Sequence, residues 1–467
     1  MTTISEESPV IETTICSKPA EDEAFSAKVD YGSLSGPQKK AYHLSVSKMI
    51  LKNTHIFTMA DNGEMFIYQP NRGIYVSNAE GDVGVLVHKY FGGTESNACV
   101  SEVVGSVKRG TRIARDDFTG ASEDLICILN GVLNIKTREL KTHSPEYHFL
   151  AQLPIKYDPN AKGPAIDAFL EDVTMKKAET IRLLEEIIGW CLMTNRYYMH
   201  KIVALVGSGR NGKTTFLNLL RVFLGANNCS SVELKDLCEN RFATANLYGK
   251  LANICTELTS RSLWSTGKLK SLTGEDSICG EHKFRDSFQF TNKAKMLFST
   301  NELPKFTEDT LAIWSRFIII DFPNQFLDSN SKTDKNILAK LTSEAELSGL
   351  LNRALDGLDR LFKNGVFTSS ITPEETREKY LDRSDPFYRF VNTCLTEGEH
   401  SDFISRTDMF NCYKGFCSSN NVAPPTQSKF TRDFNAFIGT YAQWIKPGAF
   451  MNVEGDSVKV YRNVRVS

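Results

Sequence analysis

An excess of basic charge is the first thing missing from this 467-residue sequence: 55 lysines and arginines meet 56 aspartates and glutamates, for a net charge of −1. That excludes a general polyanion-coating protein and confines any nucleic-acid contact to a few local residues. No apolar run approaches the ~20 residues of a membrane-spanning helix, so a helical membrane protein is excluded too. Paired cysteines are also absent. Eleven are scattered singly from Cys16 to Cys417 without a CxxC, which argues against zinc ribbons and disulfide frameworks and for reduced thiols in a cytoplasmic setting. The first 30 residues lack the basic start and apolar centre of a secretory signal. They hold more acids than bases, so residues 1–37 are expected to form a flexible acidic tail.

What the chain does have is material for several cores, with 41% hydrophobic and 24% charged residues and a length that suits roughly two to four folding units. Residues 38–54 read as a helix, and Thr54–Val76 alternates apolar and polar positions around the turn Asp61-Asn62-Gly63, which is hairpin chemistry. Mixed helical signals follow over 83–117, and two short apolar stretches flank Asn130-Gly131. Together these suggest an accessory α/β domain over 38–160. Helical periodicity over 164–200 suggests a collar or linker over 161–200. Short apolar strands at 202–206, 251–255, 295–300 and 317–322 suit a parallel sheet buried on both faces over 201–326. Helical patterns at 335–363 and 373–382 fill 327–385. Two helix candidates, Thr407–Ser418 and Thr426–Ile438, precede strand-like segments ending in Val458–Val464. That order fits a winged-helix-like domain over 386–467.

Gly207-Ser208-Gly209-Arg210-Asn211-Gly212-Lys213-Thr214, continued by Thr215, satisfies GxxxxGK[ST] directly after an apolar strand and at the opening of a helical pattern. Glycines let backbone N–H groups curl around phosphates, the helix N-terminus adds positive dipole, and Lys213 adds a point charge. The expected ligands are ATP and Mg²⁺, with Thr214 on the metal. Kinases, transporters and GTPases share this loop, so discrimination rests on the next hundred residues. There Glu257 ends an apolar strand where a hydrolytic ATPase places an acid for metal and water, with an ordinary surface glutamate at a strand end as the lesser reading. Asn301 follows a third strand, suited to holding the lytic water or simply to turning before Pro304. Arg316 precedes a fourth strand as a candidate arginine finger or a structural arginine. Between them lies a basic-aromatic hairpin candidate around His282 and Lys283.

In this order the residues resemble superfamily 3 helicases, specifically the helicase portion of phage and plasmid primases and of poxvirus-type primase-helicases. The resemblance runs from about 54 to 326 and includes NGVLNIKTRELKTHSPEYHF and LLEEIIGWCL. It implies an α/β P-loop NTPase core with an AAA+-like parallel sheet, a homo-hexameric ring, ATP hydrolysed between subunits, and 3′ to 5′ movement on single-stranded or forked DNA. By motif, Lys213, Glu257, Asn301 and Arg316 are the catalytic set, Thr214 and Glu257 the metal ligands, and His282 and Lys283 the tip of the DNA-tracking hairpin. Lys268 and Lys270 approach the neighbouring nucleotide. Lys429 and Arg432 on the second C-terminal helix are duplex-contact candidates. Origin DNA and a primase or polymerase join the implied partners, with a virus, plasmid or other mobile element in a prokaryotic host or viral replication site as the setting. Two departures stand out. Thr256 replaces the second acid that many superfamily 3 motors place before Glu257, and about 50 residues precede the match, so primer synthesis is not expected. Two rival readings are an origin-melting initiator without processive unwinding and a scaffold with a degenerate ATPase; DNA-stimulated turnover separates the second from both enzyme readings.

Overall fold

The computed structural model describes residues 31–466 apart from 92, 94, 116, 118–123, 195, 257, 259–266, 284–285, 305, 307–309, 327–333, 335, 421 and 454–455. The described residues form two units. One holds those up to 258 together with 265–300 and 320–370, the other 301–319 and 371–466. Boundaries expected at 200, 326 and 385 do not coincide with this division. Tyr380 is the reason for the second unit's composition: its hydroxyl donates to Pro304 O (2.6 Å), and its ring packs on Trp314 (4.9 Å) and Phe317 (5.4 Å).

The first unit opens with helix α1 (Gly36–Asn53), whose start is closed by Ser35 N donating to the Gln38 side chain (2.8 Å). Strands β1 (Ile56–Met59), β2 (Met65–Gln69) and β3 (Ile74–Ser77) form an antiparallel meander. Its first turn is the expected Asp61-Asn62-Gly63, with Gly63 at φ +68°, where a side chain would be strained. Helices α2 (Ala79–Phe91) and α3 (Asn97–Gly110) bury Val83 and Val103 against Val46, Ile50, Met65 and Ile67. Strand β4 (Arg112–Ile113) then pairs parallel to β1. A second meander, β5 (Leu125–Ile128), β6 (Gly131–Asn134) and β7 (Leu140–Lys141), turns at Leu129-Asn130.

The helical periodicity over 164–200 is carried by two helices, α4 (Pro164–Val173) and α5 (Ala178–Trp190). Beyond Trp190 the chain is irregular, and Tyr198, Met199 and His200 all take left-handed backbone (φ 50°, 65° and 53°). Three side chains bond to the backbone of the stretch 193–198. Glu275 accepts from Tyr197 N and Tyr198 N (2.8 and 3.2 Å), and the Trp190 indole donates to Tyr197 O and Tyr198 O (2.8 and 2.9 Å). Lys295, fully buried, donates to Met193 O, Arg196 O (2.7 Å) and Lys293 O (3.0 Å). Burial pushes its ammonium down to about 7. Lys295→Met is therefore expected to leave three carbonyls without their donor, the Met193 one buried, and to cost about 2 kcal/mol of stability, read as a lowered urea midpoint; an unchanged midpoint would contradict this role.

The central sheet follows in chain order: β8 (Ile202–Val206), α6 (Lys213–Leu224), β9 (Cys229–Ser230), α7 (Leu234–Glu239), β10 (Ala252–Cys255), α8 (Gly267–Thr273), the hairpin β11 (Ser277–Gly280) and β12 (Phe288–Thr291), β13 (Lys295–Thr300), α9 (Leu311–Trp314) and β14 (Phe317–Asp321). The strand order is β14-β8-β13-β10-β9, and β8, β13, β10 and β9 run parallel. Every residue of β8, β10 and β13 is buried, as a parallel sheet covered on both faces requires. The helical pattern over 335–363 forms two helices, α10 (Ile337–Leu341) and α11 (Glu344–Asn364), with Ser343 capping the second by accepting from Glu346 N (3.5 Å). Helices α5 and α11 meet at glycines: a Cβ on Gly189 would lie 2.2 Å from Ala354 O. Glu185 locks the contact through Arg353 (2.5 Å) and Arg360 (2.6 Å).

The second unit adds α12 (Pro373–Ser384), α13 (Pro386–Cys394), β15 (Leu395–Glu397), β16 (Phe403–Ser405), α14 (Arg406–Ser419), α15 (Gln427–Tyr441), β17 (Lys446–Val453), β18 (Asp456–Arg462) and β19 (Val464–Val466). Its core is aromatic, with Phe390, Tyr413, Phe430, Phe434 and Tyr461 all buried. The strands β17 and β18 form an antiparallel hairpin after the two helices α14 and α15.

Candidate functional site

The loop 207–212 leaves the buried strand β8 and delivers the chain into α6. Its path needs residues without a side chain: Gly209 and Gly212 lie at φ +99° and +85°, and a Cβ on Gly207 would sit 1.8 Å from the Asn211 amide nitrogen. Arg210 also takes left-handed backbone (φ 50°). The loop is strapped by residues 322–326. Phe322 N donates to Val206 O (2.8 Å), Asn211 Nδ2 donates to Phe322 O (3.1 Å), Gln325 Nε2 donates to Ser208 Oγ (2.6 Å), and Phe326 N donates to Arg210 O (2.8 Å).

Lys213 is the first residue of α6 and is only 5% exposed. Its ammonium donates to Gly207 O (2.7 Å) and Asn211 Oδ1 (2.8 Å), and burial lowers its pKa. Asn211 thus works as a bracket, with its oxygen on Lys213 and its nitrogen on the strap. Ser208, Arg210 and Thr214 are exposed, and Thr215 is half-buried behind Thr214. Cation and glycines converge on one concave turn at a helix N-terminus, an arrangement that binds oxyanions.

The ends of β8, β13 and β10 lie side by side next to this loop. Gly207 N donates to Thr300 O (3.4 Å). Ser299 Oγ donates to Thr256 O (2.6 Å), while Leu258 N donates to Ser299 O (3.2 Å). Ser299 therefore clamps the backbone on both sides of position 257. Glu257 itself lies outside the described residues. Sequence reasoning passed over Ser299 and the strap; the only available sign was a polar pair, Ser299-Thr300, closing an otherwise apolar strand. Glu275 is committed to the Tyr197 and Tyr198 backbone amides.

Asn301 follows Thr300 directly and belongs to the second unit, as does Arg316. Arg316 is half-buried between α9 and β14, with NH1 donating to Ala312 O (2.5 Å). Lys268 and Lys270 are half-buried on α8. His282 and Lys283 are exposed in the connection between the antiparallel strands β11 and β12, where the basic hairpin was expected. The His282 ring stacks on Phe288 (6.0 Å, 27°). Lys429 and Arg432 are exposed on α15, and Arg432 pairs with Asp433 (2.8 Å), an exposed ion pair of little energetic weight.

Family models match three stretches of the chain: a family of unknown function (DUF5906) over residues 205–316, a D5 N terminal like model over 86–175, and a poxvirus D5 protein-like model over 382–459. Among curated proteins, L207/L206 of Acanthamoeba polyphaga mimivirus, assigned as a helicase, is 24% identical over 291 residues, covering 58% of this chain and 30% of that protein. Primase D5 of fowlpox virus is 26% identical over 224 residues, covering 44% of this chain and 28% of the relative. The chain thus spans less than a third of either relative's length. Among solved structures, the apo C-terminal region of NrS-1 aligns over 91% of this chain and 99% of its own at 13% identity, with a TM-score of 0.44.

Proposed function

The chain belongs to the D5-type primase-helicase family, and from that premise we propose that it is an ATP-dependent DNA helicase of the superfamily 3 type, working as a homo-hexameric ring in replication of a virus or other mobile element. The observation that carries the reading is the glycine turn 207–212 with Lys213 bracketed by Asn211 at the start of α6. The sheet-loop-helix arrangement is read as a P-loop NTPase core, and α14, α15 and the β17–β18 hairpin as a winged-helix-like domain presenting Lys429 and Arg432 to duplex DNA.

ATP fits this turn. Gly209 has nothing within 4 Å of where its Cβ would stand, leaving the backbone N–H groups of the turn open to a polyphosphate. Lys213 and the positive end of α6 hold the β- and γ-phosphates. The Thr214 hydroxyl and the Glu257 carboxylate hold Mg²⁺, which supplies charge neutralisation on the phosphates. Glu257, with no second acid at Thr256, also orients the attacking water, and Asn301 holds that water from the neighbouring strand end. Arg316 reaches the nucleotide of an adjacent subunit and stabilises charge developing on the transferred phosphoryl group. His282 and Lys283 grip one backbone phosphate per subunit in the ring's channel. With viral proteins among the chain's relatives, we place its work at a viral or host replication site in the cytoplasm.

The test is ATP hydrolysis with and without single-stranded DNA. DNA is expected to raise the rate, and Lys283→Ala to lower the ratio of stimulated to DNA-free hydrolysis while flattening its salt dependence by about one phosphate contact per subunit. Hydrolysis indifferent to DNA in the wild type would overturn the motor reading.

A further inference from the structure

The hairpin carrying His282 and Lys283 is anchored on its inner side. Phe288, which opens β12, meets Tyr248 edge-on (5.3 Å), lies beside Phe290 (5.5 Å) and supports the His282 ring (6.0 Å). Tyr248 also meets Phe290 edge-on (5.5 Å). Over this aromatic group lies one guanidinium. Arg115 sits 4.6 Å from the centre of the Tyr248 ring and 4.8 Å from that of Phe288. The same guanidinium forms a fork with Asp61, Nε to Oδ2 at 2.7 Å and NH2 to Oδ1 at 3.0 Å. Asp61 is fixed in its turn by the Asn62 amide (2.7 Å). The Arg115 side chain is 11% exposed, too enclosed for a phosphate to reach easily.

A buried cation is costly to keep unless its geometry is used. An aliphatic side chain would fill the same space between two rings. It could not also fix the rings' angle to a turn on another sheet, which a planar, forked guanidinium does. The connected series Asp61, Arg115, Phe288, His282 runs from the β1–β2 turn to the residue beside Lys283. We infer that Arg115 is a positioning residue that holds the β11–β12 hairpin in register with the N-terminal sheet, so that this sheet sets where the hairpin meets DNA. The inference rests on the proposed function for its DNA consequence, and on the contacts alone for its structural one.

Two readouts on the full chain test it. The first is the rate of tryptic cleavage after Lys283, which needs no nucleotide. The second is the single-stranded DNA concentration giving half-maximal stimulation of ATP hydrolysis, compared with the DNA-free rate. Arg115→Met is expected to speed the cleavage and raise the half-stimulating concentration about ten-fold, with the DNA-free rate unchanged. Arg115→Lys keeps the charge over the rings but loses the fork, and is expected to recover only part of either effect. Should Arg115→Met fold poorly, Asp61→Asn weakens the fork without opening a void and is expected to shift both readouts in the same direction by less. Wild-type values for both readouts in Arg115→Met, or full recovery by Arg115→Lys, would overturn the positioning role. If wild-type hydrolysis ignores DNA, the proposed function fails, and the cleavage rate still decides whether Arg115 holds the hairpin.

Discussion

Lys213→Ala is expected to lower ATP hydrolysis by about 10³-fold, the scale associated with removing a preorganised charge that faces developing negative charge. The structure adds a second expectation. The ammonium is bonded to Gly207 O and Asn211 Oδ1, so its removal leaves two loop acceptors without that donor. A stability loss of about 1–2 kcal/mol should accompany the loss of turnover. The two effects separate by measuring both: a chain that melts a few degrees lower yet is inactive at temperatures where it is fully folded has lost chemistry and not merely structure. Turnover within ten-fold of wild type in a folded variant would remove the loop from the mechanism.

Arg316→Ala is expected to cut hydrolysis by a comparable factor, about 10³-fold or more, with ATP binding largely kept. One guanidinium nitrogen donates to Ala312 O within α9, in an exposed bond. Mixing makes the expectation stricter. Subunits carrying Arg316→Ala and subunits carrying Lys213→Ala, each inactive alone, should recover some hydrolysis together, because some interfaces then pair an intact loop with an intact finger. Mixed rings without recovery would mean that Arg316 acts within its own subunit or only structurally.

Much of the core was legible because its signals are local. β8 is uniformly apolar, β10 is apolar at most positions and β13 at its centre, and glycines at 207, 209 and 212 mark a tight turn with two left-handed positions. The C-terminal helices and following strands also emerged near their expected limits, since Ser405 and Thr426 announce the two helix starts as caps. What sequence could not carry are relations between distant residues. Nothing near Lys295 in sequence announces that its ammonium reaches Met193 O and Arg196 O about a hundred residues earlier in the chain. Nothing local joins 301–319 to α12; Tyr380 does so through rings and one hydroxyl. Arg115 and Phe288 are far apart in sequence and each is unremarkable alone.

The most direct test of an ATP-driven DNA motor is strand displacement on forked DNA bearing either a 3′ or a 5′ single-stranded tail, with ATP and Mg²⁺. The expected result is displacement that requires ATP, is lost in Lys213→Ala and depends on the 3′ tail. Failure to displace either substrate under conditions where the same preparation hydrolyses ATP would contradict the helicase reading and leave an ATPase that acts on DNA without unwinding it.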